Sequence, residues 1–250
     1  MSNITRREAL SLGIGALSFG VMAMIADKHS DALAASELPT TMKYRTVSGR
    51  YAFDSAGDYG TYKRVTDVNG YTRPVYCVEP ELGGWDVVNW VVSDSGVSAD
   101  LRTVLWFGCD GPGFDASMWP DTWDGKPWDY GRYFLVTHVL LSEMYRSRSQ
   151  AWQGNNQATG QPVGPPPASY GPYQWYVNKV VGSGGLLSKM KAKASDIPSG
   201  FKVFFLNRVK QGSSAPAGYD WSAAIAGEYQ TMVSFDYSTG YVQIQKDLTF

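Results

Sequence analysis

Very few side chains in this chain could do chemistry. Its two cysteines are Cys77 and Cys109, and of its two histidines His29 falls in an N-terminal leader, leaving His138. One remaining histidine excludes multi-histidine metal sites, and two cysteines are too few for a Cys-rich structural zinc site. No Gly-Lys-Ser/Thr phosphate loop occurs, Gly111-Pro112-Gly113 lacks the spacing of a dinucleotide fingerprint, and there is no Gly-x-Ser-x-Gly elbow. No cofactor and no metal are therefore expected. Cys77 and Cys109 can be joined as a disulfide if the protein meets oxidising conditions and their Cα atoms lie within ~4.4–6.8 Å. Equally, both can be core residues, since cysteine is among the most buried types. Glu79 and Glu81 offer a carboxylate pair of the kind glycosidases use, but Pro80 fixes a turn that reads Glu79 as a rim residue. Trp119, Trp123 and Trp128 form either a carbohydrate-stacking platform or the packing of a long loop, and packing is preferred.

These residues need elements to hold them. Thr41 to Val68 alternates polar and apolar residues between turn signals, which predicts short antiparallel strands, and Arg73 to Val78 predicts another, stopped at Glu79-Pro80. Ser98 is a plausible N-cap for a helix whose apolar positions are 101, 104, 105 and 107, ended by the glycines and proline of 108–113. A long loop carries the three tryptophans. Tyr130 to Arg148 is the clearest helix, with Phe134, His138, Leu141 and Tyr145 along one stripe. Gln150 to Pro172 reads as a loop, and Tyr173 to Ala194 as one or two helices broken at Gly182-Ser183-Gly184-Gly185. Strands return at Phe201–Leu206, Thr231–Tyr237 and Tyr241–Lys246, the last two joined by a turn at 238–240. Strands, then helices, then strands predict an α+β domain: antiparallel sheets of sandwich or barrel type with a helical lobe inserted between them.

A 44% hydrophobic fraction with nine Trp and sixteen Tyr can fill a substantial core, and a net charge of −1 argues against nucleic acid or an anionic membrane as partner. Thr5-Arg6-Arg7-Glu8-Ala9-Leu10 resembles a twin-arginine export motif, Leu10 to Ala26 is apolar and rich in small residues, and Ala32-Leu33-Ala34 suits a signal peptidase. Residues 1–34 are therefore expected to be a cleaved export signal, with an uncleaved anchor as the alternative. Either way the folded part lies outside the cytoplasm, secreted or at the cell surface. The mature part contains no apolar stretch of ~18–20 residues, and without a sorting motif a wall anchor would have to lie outside this chain.

Several segments taken in order resemble the thioester domains of Gram-positive surface adhesins and pilus-tip proteins. Val75-Tyr76-Cys77-Val78-Glu79-Pro80 is very like the family's cysteine strand, and Leu105-Trp106-Phe107-Gly108-Cys109-Asp110-Gly111-Pro112-Gly113 is similar to its helix-to-glycine segment. Phe134 to Ser142 matches the helix that carries the family's Thr-Gln motif. Gly240 to Lys246 looks like the strand leading into a pilin-type repeat. The resemblance spans roughly residues 44–246. It implies a thioester-domain-like domain over 41–240, with 241–250 starting a C-terminal strand or linker to a repeat domain absent from this chain. It also implies an adhesin that binds a host or cell-surface protein or glycan. In the family, a Cys thiol and a Gln side chain condense to a thioester that a surface amine attacks.

At the glutamine's place this chain has His138, whose imidazole cannot supply an acyl carbon. A surrogate would have to be Gln150, Gln153, Gln157, Gln161 or Gln174, held against the thiol in a dry site. If the family fold is kept, Cys77 and His138 should face each other, and the imidazole can then activate Cys77 for acyl transfer. The remaining readings are the Cys77–Cys109 disulfide and a purely structural pair of core residues, the last preferred for His138. The expectation is a binding module rather than an enzyme, with Cys–His acyl transfer and a structural tip domain as alternatives.

Overall fold

A computed structural model describes residues 41–236 apart from 69–70, 83–87, 157, 160 and 228. The expected leader at 1–34, the turn at 238–240 and the strand at 241–246 lie outside the described residues. Strands β1 (Thr41–Ala52), β2 (Gly60–Val68), β3 (Tyr71–Cys77) and β4 (Val88–Ser93) come first. The helical lobe follows, and β7 (Lys202–Asn207) and β8 (Met232–Asp236) complete the sheet. All ladders are antiparallel and they close a barrel in the order β1-β2-β3-β8-β7-β4. The α+β expectation thus holds, with the lobe inserted between β4 and β7.

Because side chains alternate along a strand, the barrel wall has two apolar faces. Val75 and Cys77 of β3 join Met42, Trp90, Phe204, Leu206 and Met232 in one cluster. Their neighbours Tyr76 and Val78, with Val203, Phe205, Val233 and Phe235, belong instead to the large cluster shared with the lobe. Polar side chains on the first face are tied down: Arg73 pairs with Asp236 at 2.6 Å, and Ser234 Oγ donates to the Pro74 carbonyl at 2.7 Å.

In the lobe, α1 (Ala99–Phe107) begins at Ser98, whose hydroxyl accepts from Leu101 N at 3.1 Å, as its sequence suggested. The chain then doubles back so tightly that a Cβ on Gly111 would lie 2.3 Å from the carbonyl oxygens of both Leu105 and Trp106. No larger residue fits without moving backbone. Helix α2 (Tyr130–Tyr145) is capped by Asp129, and every residue from Tyr133 to Ser142 is buried. It is enclosed between barrel and lobe rather than laid on one stripe. It also stops before the expected Arg148, because Ser147 caps a separate turn, α3 (Arg148–Ala151). The expected loop after it contains a small ladder, β5 (Gly154–Asn155) with β6 (Pro162–Val163). Helix α4 (Gly171–Trp175) runs on as a wide turn over Tyr176–Val180, and α5 (Leu186–Ala192) follows the glycine break.

Candidate functional site

Cys77 is the last residue of β3 and is bound to α2 through its backbone, since Ser142 Oγ donates to its carbonyl at 3.0 Å. Beyond it the chain is fastened at both edges. Val78 N–H donates to Thr231 O at 3.0 Å, and Glu79 Oε2 accepts Thr231 N–H at 2.7 Å. Arg146, just past α2, reaches Glu79 at 2.5 Å and Glu81 at 3.1 Å, and Gln150 Nε2 donates to Glu81 at 3.4 Å. The expectation of an exposed rim residue at Glu79 is therefore corrected: it is 6% exposed, pulled inward by one guanidinium and one amide. With the same arginine gripping both carboxylates, the pair acts as a brace for the cysteine strand.

The Cys77 thiol is pushed up to about 12 by burial, against the opposing pull of Arg64 and of a hydrogen bond from the Glu79 backbone. It is a neutral thiol at physiological pH, and a neutral thiol is not a nucleophile. His138 is 5% exposed, and burial, reinforced by the Arg64 charge, holds its imidazole down to about 3. An imidazole that weakly basic has little driving force to take a proton at neutral pH. Arg64, 8% exposed, lies opposite Val75 in the β2–β3 ladder and is the one charge that bears on both groups. The apolar neighbours of Cys77 are the Val75 face of the barrel. His138 instead lines a narrow cleft of about 20 Å³ with Thr61, Pro80, Trp152 and Gln153. At the cleft, buried His138 Nδ1 and Trp152 Nε1 have no hydrogen-bond partner.

Cys109 takes no part with Cys77. Both are buried and free, and they belong to different apolar clusters, so the structure leaves the disulfide unformed. Burial raises the Cys109 thiol well above its ordinary range, with Asp110 adding to the effect. Its backbone explains the two motifs that flank the site. Cys109 N–H donates to Thr137 Oγ1 at 2.8 Å, and its carbonyl accepts Tyr76 OH at 2.5 Å. The residues just before Cys77 and His138 thus clamp the turn after α1. Asp110, in the left-handed region at φ 62°, accepts from Tyr130 OH at 2.6 Å and lies 3.9 Å from Lys63 Nζ. Sequence reading did not single out Tyr76 or Thr137 for this role, although both sit inside the motifs.

Of the glutamines named as surrogates at His138, Gln153 lines its cleft. Gln150 is engaged with Glu81, Gln174 with the Ala168 carbonyl, and Gln161 lies beside Asn156, while Gln157 lies outside the described residues. Trp119 and Trp123 are each 3% exposed and Trp128 is half-buried. Trp128 stacks on Tyr133 with centroids 4.6 Å apart, Trp119 meets Trp128 edge-on at 5.2 Å, and Trp123 contacts Phe53 at 5.8 Å. Aromatic packing of the long loop therefore accounts for most of their surface. Among the described residues no group of three His, Cys, Asp or Glu side chains could hold a metal ion, and no helix is long and apolar enough to cross a membrane.

A family model described as a thioester domain matches residues 42–164, which include β1 from its second residue, β2–β4, Cys77, all of α1 and α2, and His138. No curated protein and no solved structure matches the chain.

Proposed function

For a chain that belongs to the thioester-domain family over residues 42–164, an adhesin-like class of surface module, we propose non-covalent adhesion: an exported domain that holds a host or cell-surface ligand without forming a thioester. The observation that carries this reading is the state of the two positions the chemistry would need. Cys77 is a buried, neutral thiol, and His138 is a neutral imidazole with no acyl carbon. The same observation disfavours acyl transfer, which needs a thiolate and a base able to make it. What supports retention of the scaffold is the bracing of the cysteine strand by Ser142, Arg146 and Thr231, which ties barrel to lobe whether or not a bond forms.

The test is adherence of the purified protein to immobilised cell-surface material, followed by a denaturing wash. Binding that the wash fully releases is the expected result. Protein retained through the wash would show a covalent link and contradict the proposal, and failure to adhere at all would remove the adhesin reading.

A further inference from the structure

Resting on that reading, we propose that the ligand is an acidic glycan, seated in a groove of the helical lobe away from Cys77 and His138. The groove, about 500 Å³ and open to solvent, runs between the 117–122 turn and the segment joining α4 to α5. That volume falls within the ~300–1,000 Å³ range of small-molecule pockets. Two indoles, Trp119 and Trp175, line it among mostly polar residues. Trp175 is half-buried and wedged between Trp123 at 6.2 Å and Trp128 at 5.7 Å, so its ring is fixed before any ligand arrives. A pre-fixed ring loses little entropy on binding. Trp119, though 3% exposed, carries an indole Nε1 with no acceptor.

The rim of the groove supplies hydrogen-bonding groups of both kinds. Asn178 and Asp121 are exposed there, as is Lys179, and Lys189 is steadied by donating to the Met118 carbonyl at 3.2 Å. The half-buried Trp175 ring suits the C–H face of a sugar, while an amide and a carboxylate suit its hydroxyls. Two ammonium groups against one carboxylate leave a positive balance, which selects a sugar bearing a carboxylate. A polyphosphate backbone fits poorly, because the local excess is a single charge and the chain as a whole is −1. A purely apolar ligand would strand the rim's polar groups.

Hyaluronan oligosaccharides, whose alternate rings carry carboxylates, and neutral chito-oligosaccharides of the same length are the probes, titrated against the whole protein by calorimetry and tryptophan fluorescence. The expected result is binding of the acidic series. It should weaken about tenfold in Trp175→Ala and several-fold in Lys179→Ala, an exposed position whose loss leaves the fold intact. Equal binding of the neutral series would overturn the acidic class. Binding unchanged in both variants, or no binding by the wild type, would overturn the groove. Adherence to surface material is scored in parallel. If both variants adhere like the wild type, the groove fails and the adhesin reading stands; if the wild type does not adhere, that reading fails whatever the oligosaccharides do.

Discussion

Iodoacetamide added to the native protein at about pH 8 should label Cys77 about a thousandfold more slowly than it labels the same cysteine in the unfolded chain. The reactive species is the thiolate, and raising the thiol from 9.0 to about 12 lowers the thiolate population by about three powers of ten. Enclosure adds to this, because Cys77 is 3% exposed among Met42, Trp90 and Phe204. Labelling should then follow unfolding, rising with denaturant in step with loss of structure. The same shift has a consequence for stability. The fold favours the protonated thiol, so its contribution is complete below pH 9.0 and is lost as pH climbs toward 12. Prompt labelling of Cys77 in the native state, slowed by replacing His138, would instead indicate a Cys–His nucleophile.

His138→Leu is expected to make the protein markedly more acid-resistant. The folded state keeps the imidazole neutral down to about 3, whereas in the unfolded chain it takes up a proton near 6.5. The associated stability is complete above 6.5 and is lost as pH falls from there toward 3. At about pH 4.5 the loss amounts to about 2–3 kcal/mol, relative to neutral pH. Leucine has nothing to protonate, and it removes a buried Nδ1 that has no partner, so stability near neutral pH should change little. Urea unfolding of both proteins at about pH 7.5 and 4.5 measures the difference directly. Carboxylates titrate alike in the two and cancel. Parallel pH dependence would mean that His138 is solvated or paired in the fold.

The parts of the fold legible in the sequence are those whose local signals agree with their surroundings. Ser98 caps α1, the glycines after it permit the sharp return over Leu105 and Trp106, and β7 and β8 read as strands from their apolar runs. Strand β4 did not stand out, because it begins within an apolar run without clean alternation. Only pairing with β1 and β7, which buries Trp90 inside the barrel, makes it a strand. The stripe on α2 was real but incomplete: a helix enclosed on all sides has no polar face to reveal its orientation. Glu79 misled for the opposite reason. A glutamate before proline looks exposed until Arg146, 67 positions further on, is folded against it at 2.5 Å.

At the candidate site, residue types were legible and relationships were not. Cys77 and His138 could be picked out by scarcity and family resemblance, but the cluster each side chain enters depends on strand parity and helix rotation. Tyr76 and Thr137 carry no chemical label, and their joint hold on the Cys109 backbone exists only once β3 and α2 meet. Trp175 went unnoticed beside the three loop tryptophans, because the groove it lines is assembled from segments over fifty residues apart.

The intact mass of the purified, exported protein tests the central claim most directly. The account predicts the unmodified mass of the chain after removal of its leader, with Cys77 and Cys109 both present as thiols. A mass lower by one ammonia, and restored to the expected value in Cys77→Ala, would reveal a thioester and contradict it.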